Sequence, residues 1–314
     1  MSADPLRLGS RRSPMAMAQS RLVGRAITAQ TGREVCYVGI ESAGDRSSAL
    51  VTQIGGTGVF VSSLRASLLA GDIDVAVHSL KDLPTDAAAG IALAAVPVRD
   101  DPRDALVTRD GAKLADLPDR ATIGTGSPRR AAQLLLLRPD VRPVPVRGNA
   151  GTRLAKVENS ELDAVVLGYA GLARIGRLDS VTQVFEPDEM LPAAGQGALA
   201  VECDEAREGL VALLGCVDDP ASRAATTAER SLLGGLLAGC VAPVGAYAAG
   251  TEELSLHGVV VAADGGRALR GSASGPLAAA EFIGRQVAAD LLGRGAASVM
   301  AVSGGHLSSG DDEK

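Results

Sequence analysis

The chain has 314 residues, enough for two or three domains with cores of ordinary size. It is 46% apolar and 22% charged with a formal net charge of −6, which excludes a generally basic surface, and its 2% aromatic content without tryptophan removes the stacking platforms of a single-strand nucleic-acid binder. No apolar run of the roughly 18 residues that a span needs is free of charge or proline, and Met1 to Pro14 lacks the apolar core of a secretory signal, so a cytoplasmic protein with no membrane contact is expected.

In chain order, Leu6-Arg-Leu reads as a strand, Pro14 to Gln30 as a helix, Glu34 to Ile40 as a strand, Val59 to Ala70 as a helix and Ile73 to His78 as a buried strand. The alternation continues with a strand at Thr122-Ile-Gly and a helix from Ser127 to Leu137. A strand over Val141 to Val146 leads to a helix from Thr152 to Asn159, and one over Ala164 to Leu167 leads to a helix ending at Ile175. This order predicts α/β units with largely parallel sheets. Pro97 to Pro102 reads as a crossing between two units and Leu191 to Gly197 as a crossing back, followed by a strand over Ala198 to Glu202 and a helix over Ala206 to Val217. A new segment opens at Asp219-Pro220 with a helix to Leu237, strands over Leu254 to Ala262 and Ala268 to Ser274, and a helix from Leu277 to Leu292; the polar tail from Ser308 to Lys314 is expected to be disordered.

Cations recur where these apolar runs break into glycine or proline loops. In Gly124-Thr125-Gly-Ser127-Pro-Arg129-Arg130, Ser127 is placed as an N-cap with Pro128 at the first helical position, so backbone N–H groups, a hydroxyl and two guanidiniums face one space. Taken alone, the segment is equally an ordinary capped helix with two solvated arginines. The same grammar recurs in Val146-Arg147-Gly-Asn-Ala-Gly-Thr-Arg153, which directs both arginines to the carboxyl end of a sheet, where α/β proteins bind ligands. Planar guanidinium forks suit carboxylates. In His78-Ser-Leu-Lys81-Asp82-Leu-Pro84 a cation and a carboxylate stand side by side on a turn, a pair that, taken alone, is more often merely solvated, while His78 reads as a packed strand-end residue. No Gly-Lys-Ser/Thr P-loop occurs, and the Gly-x-Gly lacks a dinucleotide fingerprint's third glycine.

The cysteines Cys36, Cys203, Cys216 and Cys240 show no Cys-x-x-Cys spacing and the three histidines are scattered, so no disulfide framework and no metal site are expected. Cys240 stands apart in the glycine-flanked loop Leu-Ala-Gly-Cys240-Val-Ala-Pro-Val-Gly, where a reactive thiol is plausible; the other three are expected as small core residues.

Taken together these segments resemble the porphobilinogen deaminase (hydroxymethylbilane synthase) family over nearly the whole chain. The resemblance is carried by Gly-Ser-Arg11-Arg-Ser13-Pro, Gly55-Gly-Thr57-Gly, Asp74 through Pro84, Asp101-Pro-Arg-Asp-Ala, the two arginine loops, Ala170-Gly-Leu-Ala-Arg174, Leu191-Pro-Ala-Ala-Gly-Gln196-Gly, Thr227-Ala-Glu-Arg230 and Gly239-Cys240. It implies two periplasmic-binding-protein-like (type II) α/β domains with a cleft between them, a discontinuous first domain over 1–97 plus 198–217 and a central one over 101–193. A small α+β domain over 219–307, with an antiparallel sheet, carries the cysteine. It also implies a dipyrromethane cofactor joined to Cys240 by a thioether. Four porphobilinogens are added to it with loss of ammonia, giving hydroxymethylbilane. By the same resemblance Asp82 is the catalytic carboxylate. Arg11, Lys81, Arg129, Arg130, Arg147, Arg153 and Arg174, helped by Ser13, Gln19, Thr125 and Ser127, would pair with the acetate and propionate groups. The implied protein is a monomer that hands its product to uroporphyrinogen-III synthase.

The pattern departs from the family at Thr57, where lysine is common, at Ser62 and Ser63 in place of Lys-Glu, and at Val241-Ala242, where polar residues are frequent. A non-catalytic cytosolic anion-binding protein on the same scaffold would account for the arginines but gives Cys240 no purpose, and a cysteine-dependent hydrolase lacks a partner histidine.

Overall fold

The computed structural model describes residues 4–40, 58–237 and 242–301. Cys240, Val241, the segment containing Gly55 to Thr57 and the tail from 308 lie outside the described residues.

Two five-stranded sheets and one three-stranded sheet organise the described residues. In the first sheet β1 (Leu6–Arg11), β2 (Val35–Ile40) and β3 (Val75–Ser79) run parallel, with β1 between the other two. The sheet is completed by β10 (Leu199–Asp204) and β4 (Ile91–Ala95), with β10 antiparallel to both β3 and β4. The second sheet repeats the plan. Its strands β6 (Thr122–Gly124), β7 (Arg142–Val144) and β8 (Ala164–Gly168) are parallel, and β5 (Asp104–Thr108) lies antiparallel between β8 and β9 (Gln183–Val184). Both sheets are therefore mixed, where the alternation of elements predicted largely parallel ones. The reason is the pair of crossings: β5 and β10 each enter their sheet from the other one, so neither is delivered by the helical return that makes neighbours parallel.

The helices begin where the sequence supplies caps. Ser13 caps α1 (Pro14–Thr31) by accepting from Ala16 N, with Pro14 in the first turn. Ser127 caps α3 (Pro128–Leu137), Asn149 caps α4 (Ala150–Glu158) and Asp219 caps α7 (Pro220–Gly235), each through its side-chain oxygen. The remaining helices are α2 (Gly58–Leu69), α5 (Tyr169–Arg174), α6 (Glu208–Leu214), α8 (Ala280–Gly293) and α9 (Ala296–Ala301). The apolar face of α1 buries Val23 and Ile27 against Leu6, Leu8, Val75 and Val201. Leu106, Ile123, Leu134, Val166 and Phe185 fill one face of the second sheet. Each such fully buried side chain contributes about 1.5–3 kcal/mol.

In the third unit α7 and α8 pack on an antiparallel sheet of β11 (Val244–Ala249), β12 (Glu253–Val261) and β13 (Ala268–Pro276), with Leu232, Leu256, Ile283, Val287 and Leu291 at the centre. The two helices touch closely at Gly284, where an added Cβ would lie 2.3 Å from the Ala228 carbonyl oxygen. Ala132 of α3 and Leu191 of the second crossing pack with Val259 and Val261 of β12, so this unit rests on the second sheet and the crossing together.

The strands β4, β5, β9 and β11 and the short helix α9 escaped the sequence reading. Ile-Ala-Leu-Ala-Ala and Val-Gly-Ala-Tyr-Ala-Ala are poor in β-branched residues and owe their extended form to pairing. Cys36 and Cys216 are exposed, against the expectation of core thiols; only Cys203 is buried among the described cysteines. Cys36 sits on the edge strand β2, and Cys216 in a 3-10 turn over Gly215–Val217. His78 is packed as expected: it is buried, with Nε2 3.2 Å from Glu202 Oε2, while Arg65 grips the same carboxylate at 2.6 and 3.0 Å and so ties α2 to the sheet.

Candidate active site

Strand β3 of the first sheet and strand β8 of the second end beside the same residue, Gln196, so the two sheets face one crevice there. From the first sheet, β1 ends at Arg11, and β3 runs into a 3-10 turn, Leu80–Asp82, that presents Lys81 and Asp82. From the second, β6 leads to Thr125 and Ser127, β7 leads to Arg147 and β8 runs into α5, which ends at Arg174. The walls touch where Met15 of α1 approaches Gly171 of α5.

The floor is made by the second crossing. Gln196 Oε1 accepts from Lys81 Nζ and from Arg130 Nη2, both at 3.2 Å, and its Nε2 donates to the Pro102 carbonyl at 2.7 Å and to Asp104 Oδ1 at 2.8 Å. One amide thus joins the first sheet's turn, the second sheet's helix α3 and both crossings. Gly197, beside it, has φ 86° and no room for a side chain, because an added Cβ would stand 2.4 Å from the Asp100 carbonyl oxygen.

Asp104, fully buried at the head of β5, holds both arginines of α3. Arg129 Nη1 donates to its Oδ2 at 2.7 Å and to the Leu191 carbonyl at 2.7 Å; Arg130 Nε donates to its Oδ1 at 2.9 Å. Burial by itself would push this carboxyl up, but the two guanidiniums hold it well below the usual carboxylate range. Arg129 is therefore part of the wall, with its Nε buried and without a hydrogen-bond partner among the described residues, whereas Arg130 reaches inward to Gln196.

Burial lowers the proton affinity of several of these cations. Burial, and then Arg130, brings the Lys81 ammonium down to about 8, with Asp82 acting in the opposite sense. Arg153 is likewise lowered by burial and by Arg130, and its Nε donates to the Gly148 carbonyl at 3.0 Å. Burial also lowers Arg174, whose guanidinium binds Asp100 Oδ2 and the Gly197 carbonyl at 2.8 and 2.6 Å, one acceptor on each crossing. Cations clustered and desolvated in this way favour an anionic ligand. Half-buried Asp82 makes no side-chain hydrogen bond or ion pair with any described residue, so its carboxylate stands available beside Lys81.

Of the other predicted residues, half-buried Arg11 borders the crevice at the end of β1, and Arg147 is exposed in the loop after β7. Gln19 is buried on α1. The hydroxyls serve first as caps: Ser13 for α1, Thr125 Oγ1 accepting from Ser127 N at 3.2 Å, and Ser127 Oγ accepting from Arg130 N at 3.4 Å. Each keeps a proton to donate.

Asp104 and Gln196 lay inside recognised motifs but received no role from the sequence. A carboxylate opening an apolar run, Asp104-Ala-Leu-Val, and an amide between two glycines were the available signals. A third residue, Glu229 of α7, likewise lay inside a recognised motif, Thr227-Ala-Glu-Arg230, without receiving a role. Its carboxylate takes Arg99 at 2.6 and 3.0 Å, Gly195 N at 2.7 Å and Ala248 N at 2.8 Å, fastening both crossings to the third unit.

Such a fold and site define an α/β protein with a cation-lined crevice between two sheets and, beside Lys81, an Asp82 carboxylate that has no side-chain partner among the described residues. Residues 6–212 match the family model described as porphobilinogen deaminase, dipyromethane cofactor binding domain, and residues 224–293 the porphobilinogen deaminase C-terminal domain. The chain is 57% identical over 311 residues to the porphobilinogen deaminase of Thermobifida fusca (strain YX), covering 96% of this chain and 97% of that one. It is 48% identical over 305 residues to that of Mycobacterium tuberculosis (strain ATCC 25177 / H37Ra), covering 94% and 98%. Among solved structures, the periplasmic VFT2 domain of Bordetella pertussis BvgS aligns with a TM-score of 0.41 at 16% identity over 68% of this chain and 86% of that one. The methionine-binding protein MetQ aligns with 0.44 at 12% over 68% and 89%. The chain belongs to the porphobilinogen deaminase family, transferases that use a dipyrromethane cofactor.

Proposed function

We propose that the protein joins four porphobilinogens head to tail, with loss of ammonia at each addition, and releases hydroxymethylbilane after hydrolysis. The observation that carries this reading is the Asp82 carboxylate, without a side-chain partner among the described residues, set beside Lys81 in a crevice where burial, and then Arg130, lower both Lys81 and Arg153. Porphobilinogen and the cofactor both bear carboxylate side chains, and Lys81, Arg130 and Arg153 offer the desolvated charge such groups need. Arg11, Arg147 and Arg174 extend that charge along the crevice, Arg129 supports it through Asp104, and Ser13, Gln19, Thr125 and Ser127 supply neutral donors.

Dipyrromethane, when bound, supplies the free pyrrole carbon to which the first substrate is joined. We assign its attachment to Cys240 by a thioether. Asp82 acts on the incoming substrate: as ammonia departs from the aminomethyl carbon, positive charge spreads over the pyrrole, and a nearby carboxylate stabilises it at the ring N–H. The same carboxylate can accept a proton from the coupled ring and pass it on. Lys81 and the arginines hold the acid side chains still, which turns the encounter of two rings into a reaction between positioned groups.

On this reading residues 1–97 and 198–217 form one domain, 101–193 a second and 219–307 a third. The protein works as a cytoplasmic monomer and passes hydroxymethylbilane to uroporphyrinogen-III synthase. Intact-mass measurement of purified protein tests the assignment: the wild type should carry a mass excess of two pyrrole units, and Cys240→Ser should lose it. A Cys240→Ser protein that keeps the excess would refute the attachment.

A further inference from the structure

We propose that Arg230, on helix α7 of the third unit, is a positioning residue that fixes the turn bearing Lys81 and Asp82. The proposal rests on the deaminase reading above. Arg230 Nη1 donates to the Leu83 carbonyl at 3.0 Å and, more weakly, to the Leu80 carbonyl at 3.4 Å, while Nη2 donates to the Pro84 carbonyl at 2.5 Å. These acceptors flank Asp82 on both sides. Leu80 opens the 3-10 turn, and Leu83 closes it with its own N–H on the Leu80 carbonyl at 3.1 Å. So short a turn has one internal bond to hold it and leaves its last carbonyls without helical partners. A guanidinium is suited to gather several of them, since its donors are fixed in one plane and its charge favours the carboxyl end of the turn.

The direction of the contact gives it mechanistic weight. Arg230 comes from the third unit, not from the sheet that carries the turn, and the neighbouring Gly234 of α7 approaches Thr85, just past the turn. One residue earlier on the same helix, Glu229 binds Arg99 and Gly195 of the crossings. Helix α7 therefore registers the catalytic turn and the interdomain crossings against one rigid element, and the chain that leaves it reaches Cys240 three residues after Leu237. Removing Arg230 would leave its carbonyl acceptors in place but release the turn, misplacing the Asp82 carboxylate without removing any group that binds substrate acid side chains.

The test uses full-length Arg230→Met and Arg230→Lys with cofactor content measured by intact mass and turnover expressed per loaded molecule. Arg230→Met is expected to lower kcat by about tenfold to a hundredfold with KM unchanged, the scale of a small misplacement of a catalytic group. Arg230→Lys, which keeps the charge but not the planar fork, should fall between Met and wild type. Wild-type kcat per loaded molecule in Arg230→Met overturns the proposal, as does a loss confined to KM or to loading. Should the Met protein fail to fold, Arg230→Lys decides: reduced kcat at unchanged KM supports positioning, and wild-type kcat overturns it. A wild type that loads cofactor and turns over porphobilinogen while the variants match it sinks the positioning role alone. An inactive wild type sinks the deaminase reading and this role with it.

Discussion

Lys81 and Arg130 come from different sheets yet share one acceptor, Gln196 Oε1, each at 3.2 Å. Burial, and then the guanidinium meeting it on this neutral amide, lower the Lys81 preference for the charged state, an arrangement that costs stability unless an anion joins the two cations. The site is built to be completed by a ligand.

Asp82→Asn removes the carboxylate that stands beside Lys81 without a side-chain partner among the described residues, and the fold is expected to be retained. It should retain the cofactor mass and lose turnover by roughly 10²–10³-fold, the scale for losing one electrostatic stabiliser. Near-normal turnover in a loaded Asp82→Asn enzyme would rule out its role.

Lys81 gives the free enzyme an alkaline limit. With its folded value depressed to about 8 from the ordinary lysine value of 10.5, the ammonium is present below about pH 8 and lost above it, so kcat/KM should fall as pH rises through that value. The groups facing Lys81 are Arg130 and Arg129 from α3, Asp104 from β5 and its neighbour Asp82. Stability of the free enzyme has the opposite slope: between about 8 and 10.5 the unfolded chain holds the proton that the folded one has released, so the Lys81 contribution rises with pH. A pH profile of kcat/KM for Lys81→Arg that keeps the same limb would show that another group sets it.

Asp104→Asn leaves Arg129 and Arg130 as buried charges with no counter-ion. Breaking one side of such a cluster costs about 3–5 kcal/mol, so a fall in the denaturant midpoint and incomplete cofactor loading are expected. Unchanged stability would mean that the arginines have found other partners.

Arg174 binds Asp100 on one crossing and Gly197 on the other, and Arg174→Leu frees them from each other. Loading should be normal, while intact-mass spectra after brief exposure to porphobilinogen should show a ladder of added units cut short. A full ladder formed at the wild-type rate would remove Arg174 from elongation.

The sequence by itself determined the local grammar. Ser127-Pro128 and Ser13-Pro14 start helices where predicted, because an N-cap oxygen and a proline-fixed φ act within one turn of chain and need no distant partner. The placing of Lys81, Asp82, Thr125 and Arg147 just past strand ends, and of Arg174 on the helix after Ala170-Gly, was legible for the same reason. Only the tertiary structure decided which way β5 and β10 run, since strand direction depends on the route of the crossings and not on composition. It also decided that Asp104 and Gln196 belong to the site and that Arg129 forms wall while Arg130 reaches inward. A carboxylate at the head of an apolar strand looks the same in sequence whether its partner is water or two buried guanidiniums. Its meaning comes from desolvation, and desolvation exists only once the sheets have closed around it.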